Sequence, residues 1–447
     1  MQNPLNIAVV GSGLVGSLLA IYLKKAGHTV HVYDRSPDIR KIEFSGRSIN
    51  LVMSDRGWKA LADIGLDDEI RKIGIPVEKR AIHTQDKLTY QNYGKDGEAI
   101  FSLSRGILNR KMIDLAEEAG VEFFFDHKVW DVTLPQASLH IGETERGEWQ
   151  ELKYDKVFGA DGAFSRVRHR MQRQSMFNYS QEFLRIGYKE LHIPANEDGS
   201  HKLDSNSLHI WPRGEYMLMG LPNLDGSFTC TLFMPHEGEN SFANLKDKET
   251  LVAFFADHFP DTKEVIPNLV EDFFKNPTSY LVTMKCFPWT FEDKVALIGD
   301  ACHAIVPFYG HGMNAGFEDI TVLNNLIEKY GDDWTTIFSE YENSRKPNTD
   351  AIAELSYRNF MEMSSKTADE KFLLQKKIEK WFSEKHPDKW LPLYSRVTFS
   401  LDPYSEALEI GDFQNKIMEE ILSIENIEEN WENDVVEEKI LGLLRKK

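Results

Sequence analysis

Residues 295–319 read VALIGDACHAIVPFYGHGMNAGFED. The apolar run Val295-Ala296-Leu297-Ile298 has the form of a buried strand, and Gly299-Asp300 stands at its end. A loop with Pro307 and the glycines Gly310, Gly312 and Gly316 follows. Beyond it Ile320, Leu323, Leu326 and Ile327 recur at helical spacing. A carboxylate therefore stands at a strand tip, and a glycine-rich loop feeds a helix start. Helix N-termini present unpaired N–H groups and positive dipole, and glycine lets a flat or anionic group approach the backbone. Asp300 can accept hydrogen bonds from the hydroxyls of a sugar or polyol. The same pattern also describes an ordinary strand–loop–helix crossover with an acidic turn. The other end of the chain decides between them.

There, Asn6–Val10 (NIAVV) is a short apolar strand, followed by Gly11-Ser12-Gly13-Leu14-Val15-Gly16, a GxGxxG. Leu14, Leu18, Leu19, Ile21, Tyr22 and Leu23 supply a helical apolar face that Gly27 ends. A second strand, Thr29–Tyr33, runs into Asp34. Strand, glycine turn, helix and spaced acid together form a dinucleotide fingerprint. The helix N-terminus takes a pyrophosphate and the acid takes ribose hydroxyls. No second such unit follows.

Between these ends, Gly46–Leu51 (GRSINL) precedes a helix expected from about Ser54, its N-cap, to Ile73. Arg47 can serve a cofactor phosphate or be a solvated charge. Residues 77–93 read as two strands carrying Arg80 and Tyr93. Arginine's planar fork suits a carboxylate, although most strand arginines are simply exposed. A helix from Ser104-Arg105 to Glu118 ends at Gly120. A strand at 121–125 and three more around 129–134, 137–142 and 149–158 lead into GADGAFSRVR (159–168), a second Asp-Gly at a strand end. The cluster Arg166, Arg168, His169, Arg170 and Arg173 is either a solvated helix face or an anion-gathering patch. Residues 176–285 are rich in short strands with aromatics and Met, and read as a mainly antiparallel sheet able to cover a pocket. Beyond residue 320 the pattern is helical, with Asn359 and Glu362 three apart on one face. Tyr394 falls in a short stretch read as non-helical. His311 is expected to be a loop histidine satisfied by backbone.

The chain has 447 residues, 41% hydrophobic and 28% charged, enough for two or three domains. A net charge of −19 argues against nucleic acid or anionic membrane as partner. An anionic cofactor must then be captured by local basic groups. Three scattered cysteines make neither a disulfide framework nor a metal cluster. No signal peptide is evident, and no apolar run reaches the roughly 18 residues of a membrane span. A cytoplasmic protein is expected.

GSGLVG with Asp34, GADGAFSRVR and ALIGDACHAIVPFYGHGMNAG, in this order, resemble the class A flavoprotein monooxygenases, the para-hydroxybenzoate hydroxylase group. Within it GRSINLVMSDRG, LHIWPR, FTCTLFMP and HGMNAGFED resemble the kynurenine 3-monooxygenase family, over about residues 5–405, and in its soluble bacterial form without a C-terminal membrane anchor. The resemblance implies an α/β fold. It has a Rossmann-like FAD-binding domain, an inserted mainly antiparallel β-sheet substrate domain and a C-terminal helical region. The FAD-binding domain would comprise 1–75, 100–175 and 286–330, the substrate domain 76–99 and 176–285, and the helical region 331–447.

For the cofactor, the resemblance implies that Gly11, Gly13, Val15 and Gly16 hold the pyrophosphate region of FAD. Asp34 would bind the adenosine ribose and Asp300 the ribityl chain. Arg35, Arg47, Arg105, Val129, Asp161, Pro307 and Gly312 would add cofactor contacts, with Met313 and Asn314 against the flavin ring. For the substrate, Arg80, Tyr93, Asn359 and Tyr394 would hold the amino-acid end of L-kynurenine, supported by Glu362. NADPH would bind transiently as co-substrate, and oxygen added at flavin carbon 4a would be delivered from the hydroperoxide to the substrate ring. The flavin does the chemistry, so no catalytic side chain and no metal is expected, and a homodimer is possible. Two alternatives stand beside this reading: hydroxylation of another aromatic such as a phenolic acid, and a non-enzymatic escort protein on the same fold.

Overall fold

The computed structural model describes residues 3–42, 49–95, 97–142, 148–363 and 370–445. Ile7, Ala8 and Val9 are completely buried, so the strand Asn6–Val10 has no solvent face. It runs parallel between Thr29–Tyr33 and Lys156–Gly159. Val295–Leu297 pairs in parallel with Lys156–Gly159, and Glu122–Phe124 with Thr29–Tyr33. Thr290–Phe291 closes this sheet antiparallel, making six strands among the described residues. A buried parallel sheet needs apolar runs rather than alternation, which is the pattern seen here.

Three of these strands end side by side. The Gly11 amide donates to the Tyr33 carbonyl (2.7 Å), Ala160 to Val10 (2.8 Å) and Ile298 to Gly159 (3.0 Å). The glycine turn, the Gly159–Gly162 turn and the Gly299-Asp300 turn therefore share one edge. In α/β sheets this carboxyl edge is where ligands bind. Gly11 has φ +107°, and a Cβ there would lie 2.5 Å from the Ala160 carbonyl oxygen. The helix Leu14–Lys25 starts directly behind the turn.

A second sheet of eight strands covers this edge. Its order is His303–Ala304, Ser279–Phe287, Asn178–Ile193, Phe228–Pro235, Met217–Pro222, Ser207–Pro212, Lys79–His83 and Leu88–Asn92. Neighbours are antiparallel except Ser207–Pro212 with Lys79–His83. Strand alternation splits its faces. Cys230, Leu232 and Met234 pack with Phe255, Phe259 and Phe273 from the helical side. Thr229, Thr231 and Phe233 face the other way.

The C-terminal helices Glu370–Lys385, Tyr404–Ile421 and Asp434–Leu444 share a core of Ile378, Phe382, Trp390, Ile417, Met418 and Ile440. No helix among the described residues is long and apolar enough to cross a membrane.

Local structure corrects the sequence reading in three places. The helix expected over 54–73 is two, Asp55–Ala62 and Asp67–Arg71, broken at Gly65 with φ +71°. Ser54 occupies the N-cap position, but its hydroxyl makes no capping bond. Tyr394 lies in the helix Leu393–Thr398, not in an irregular stretch; Ser395, Val397 and Thr398 are its buried residues.

A Cβ on Gly16 would come within 2.0 Å of the Gly11 carbonyl oxygen, which is backbone and cannot turn aside. Gly16→Ala is therefore expected to lower stability by about 2 kcal/mol or more, read as an earlier urea midpoint. An unchanged midpoint would show that the turn has room to spare.

Candidate functional site

The glycine turn and the late loop are in direct contact. Val15 packs between Gly299 and Gly316, where added Cβ atoms would lie 3.1 and 2.6 Å from its methyl groups. Asp34 bends back over the same turn: Oδ2 accepts from the Ser12 amide and hydroxyl, both at 2.8 Å, and Oδ1 from the Ser36 amide at 2.8 Å. The late turn is pinned from below. Asp319 Oδ2 accepts from the Gly299 amide (3.1 Å) and from His303 Nε2 (2.5 Å), while Oδ1 accepts from Arg345 Nε (2.8 Å). Burial alone would push the Asp319 carboxyl up, but His303 and Arg345 hold it below the ordinary carboxylate range.

From this junction a cavity of about 320 Å³ runs to the eight-stranded sheet, a size typical of small-molecule sites. Gly13, Val15 and Asp300 line one end, and Arg80, Tyr93, Asn359 and Tyr394 the other, with Pro307, Gly312 and Met313 between. Asp300 is accessible from the cavity yet enclosed by protein, which raises its pKa. Nearby His303 and Arg105 pull the other way. Arg105 opens the helix Arg105–Glu118 and also lines the cavity.

At the far end the Arg80 guanidinium lies 4.7 Å from the Tyr93 ring centre and 4.4 Å from that of Tyr394. Tyr93 stacks on Tyr394 (5.2 Å, 24°), and Tyr394 on Tyr309 (5.3 Å, 14°). Burial works against charge on Arg80, but the two tyrosine oxygens outweigh it and keep the guanidinium protonated. Burial also raises the hydroxyl pKa of Tyr93, Tyr309 and Tyr394, so all three remain neutral donors. Asn359 donates its amide to the Phe308 carbonyl (2.7 Å). It thus ties the long helix Trp334–Met361 to the Pro307–Tyr309 turn. Glu362 stands outside the lining, close enough to Tyr309 to raise its pKa.

Several expected residues are placed differently. The Asn314 side chain points away from the cavity. Its amide donates to the Val52 (2.7 Å) and Gly310 (2.9 Å) carbonyls, and its oxygen accepts from the Ser54 amide (2.9 Å). It staples the loop to the strand Asn50–Met53. Val129 packs into the core and does not reach the cavity. Asp161 caps the helix Arg166–Met171, its Oδ2 accepting from the Arg166 amide at 2.6 Å. Arg35 is exposed beside Asp34, and Arg47 lies outside the described residues. The ring of His311 meets a side chain, not backbone: Nδ1 lies 2.8 Å from the Tyr404 hydroxyl, and Nε2 is buried without a partner among the described residues. Burial pushes its pKa down to about 3, so it stays neutral. Arg168, from the basic cluster, is buried and donates to the Ala301 (2.9 Å) and Ala163 (2.5 Å) carbonyls.

The sequence reading did not single out Tyr309, Thr229, Thr231 or Phe233, which line the cavity. The alternation in FTCTLFM marks the last three as one face. Tyr309 carries no such signal.

The donor set suits FAD. Gly13 and Gly312 have ordinary φ, and a Cβ on either would meet nothing within 4 Å. Neither backbone strain nor protein packing requires glycine there. Both border the cavity at helix starts, where a phosphate or flat ring needs backbone contact. Asp161 Oδ1 is buried with no partner among the described residues. Asn314→Ala would leave an amide and two carbonyls unpaired and is expected to cost about 2 kcal/mol or more in urea unfolding. A neutral result would remove its role as staple.

The FAD binding domain family matches residues 5–254 and 260–356. Kynurenine 3-monooxygenase of Flavobacterium johnsoniae is 77% identical over 446 residues, covering 100% of both chains. That of Dictyostelium discoideum is 41% identical, covering 93% of each. Among solved structures, 2-methyl-3-hydroxypyridine-5-carboxylic acid oxygenase superposes with a TM-score of 0.69 at 19% identity, over 82% of this chain and 94% of that one. Pseudomonas aeruginosa PqsL gives 0.64 at 18%, over 81% and 97%. These two likenesses establish the fold. With the glycine turn and Asp300 meeting at one cavity, the chain is an FAD-dependent flavoprotein monooxygenase and belongs to the kynurenine 3-monooxygenase family.

Proposed function

We propose that this chain hydroxylates L-kynurenine to 3-hydroxykynurenine, with NADPH and O2 as co-substrates. The observation that carries the reading is Arg80, held charged against two neutral tyrosines at the end of the cavity remote from the glycine turn. A planar cation flanked by hydroxyl donors suits a carboxylate. The amino-acid end of kynurenine supplies one, which leaves its aromatic ring toward Pro307 and Met313.

Gly11, Gly13, Val15 and Gly16 would take the pyrophosphate region of FAD, Asp34 the ribose and Asp300 the ribityl hydroxyls. FAD bound there supplies reduction by NADPH and activation of O2. The chain's own residues orient the substrate and exclude water. Among the described residues lining the cavity, the ionisable groups are Arg80, Arg105, Asp300 and the three tyrosines. The substrate's aniline nitrogen activates its own ring, so no protein base is required. The apolar walls Leu208, Met219, Leu221 and Phe233 keep the reaction dry. Asn359 lines the cavity beside the tyrosines and, through the Phe308 carbonyl, keeps the Pro307–Tyr309 loop in place, with Glu362 outside the lining.

Arg80→Ala is expected to raise KM for L-kynurenine about 100-fold or more while the yellow flavin is retained, and Arg80→Lys to recover part of the loss. Normal kynurenine binding by Arg80→Ala would remove this site. Asp300→Asn should do the reverse, weakening flavin retention about tenfold with little change in KM at saturating FAD. A panel of phenolic acids is expected to stimulate NADPH oxidation far less than L-kynurenine; preference for a phenolic acid would reassign the substrate.

A further inference from the structure

Behind the cavity wall, on the opposite face of the sheet, lies a polar chain the reaction does not use. Lys79–His83 and Ser207–Pro212 are parallel neighbours, with Arg80 opposite Leu208 and Ile82 opposite Ile210. Alternation sends Arg80 and Leu208 to the cavity and turns His83 and His209 to the back. There His83 Nε2 and His209 Nδ1 face each other at 2.9 Å, both rings buried. The outer nitrogens are also engaged. His83 Nδ1 lies 3.0 Å from Asp261 Oδ2, and His209 Nε2 lies 2.9 Å from the Asp204 backbone carbonyl.

Counting protons gives a definite answer. A carbonyl oxygen only accepts, so His209 Nε2 carries hydrogen. Asp261 also accepts from Trp211 Nε1 at 2.6 Å, and its two donors hold its pKa down despite partial burial. It is an ionised acceptor, so His83 Nδ1 carries hydrogen too. If both rings were neutral, each would then present a bare lone pair to the other across 2.9 Å. Two acceptors cannot form that contact. One further proton between them converts it into a charge-assisted hydrogen bond.

We infer that His83 and His209 share this third ring proton, carry one positive charge between them at neutral pH, and thereby clasp the two strands that aim Arg80 into the cavity. The surroundings place the charge on His83. Its ring stacks on Trp211 (4.1 Å, 20°), a geometry that favours a cation, and it faces the Asp261 carboxylate. His209 is the neutral partner; burial pushes its pKa down to about 4, with His83 and then Lys79 adding to the effect. The other charged groups facing the pair are accounted for. The Asp204 carboxylate is engaged by Lys79 (3.0 Å) and Ser207 (2.8 Å), and Arg213 donates to the His83 carbonyl (2.9 Å). His83 and His209 are positioning residues, and their effect on turnover rests on the reading of Arg80 given above.

Ring nitrogen-15 shifts read the protonation directly, and amide hydrogen exchange over Lys79–Ile82 and Ser207–Ile210 reads the clasp. Neither needs turnover. Expected are three ring protons across the two imidazoles at pH 7. At constant pH, His83→Gln should lower amide protection in both strands about tenfold and raise KM for L-kynurenine by a similar factor with kcat held. Two neutral rings at pH 7 would overturn the inference, as would protection and KM indifferent to His83→Gln. Shared-proton shifts, with protection lost in His83→Gln, in a protein that ignores L-kynurenine would support the clasp and count against the substrate reading instead.

Discussion

The contact on which the molecule depends is Val15 held between Gly299 and Gly316. It joins a turn near residue 11 to a loop near residue 300. Any larger residue at either glycine would push the two apart. Three strand tips of one buried sheet supply the frame, and their hydrogen bonds fix the turns to one another within a residue's width. Because parallel strands all point their carboxyl ends the same way, every loop that follows them opens on the same side. Asp34, Asp161 and Asp300 share that edge for this reason.

The rest of the structure keeps that edge covered and dry. The eight-stranded sheet lays Thr229, Thr231 and Phe233 over it, and the helix Trp334–Met361 brings Asn359 in from the side. The buried ions serve order rather than chemistry. Arg345 pairs with Asp319 and His303 hydrogen-bonds it beneath the Gly299 turn, and Arg56 bridges Glu318 to the backbone at Val397 and Asp402. Removing one partner would strand a buried charge, a far larger cost than an exposed pair could incur. A pocket walled this way keeps water out, which suits a reaction in which water is the main competitor.

What could be read from the chain follows the range of each interaction. The glycine turn, its helix and Asp34 lie within about thirty residues, and each step has a local cause, so the residues alone identify the fingerprint. The meeting of Arg80, Tyr93, Asn359 and Tyr394 spans more than three hundred residues. No periodicity reports it, and family resemblance supplied it. Asn314 shows the limit of motif reading. Its place at the helix start was legible, but the direction of its side chain depends on the carbonyls of Val52 and Gly310. The helix at Tyr394 leaves little trace in the sequence because Leu393–Thr398 is only six residues long and follows prolines. The partner of His311, Tyr404, lies 93 residues away, beyond the reach of any local pattern.

The central claim is that one cavity holds an oxygen-activating cofactor against kynurenine. It is tested most directly by turnover under heavy-isotope oxygen gas with NADPH and L-kynurenine, followed by mass analysis of the product. The account predicts NADPH oxidation accelerated by kynurenine and a ring-hydroxylated product carrying one heavy oxygen atom. Unmodified kynurenine, or a hydroxyl oxygen drawn from water, would contradict it.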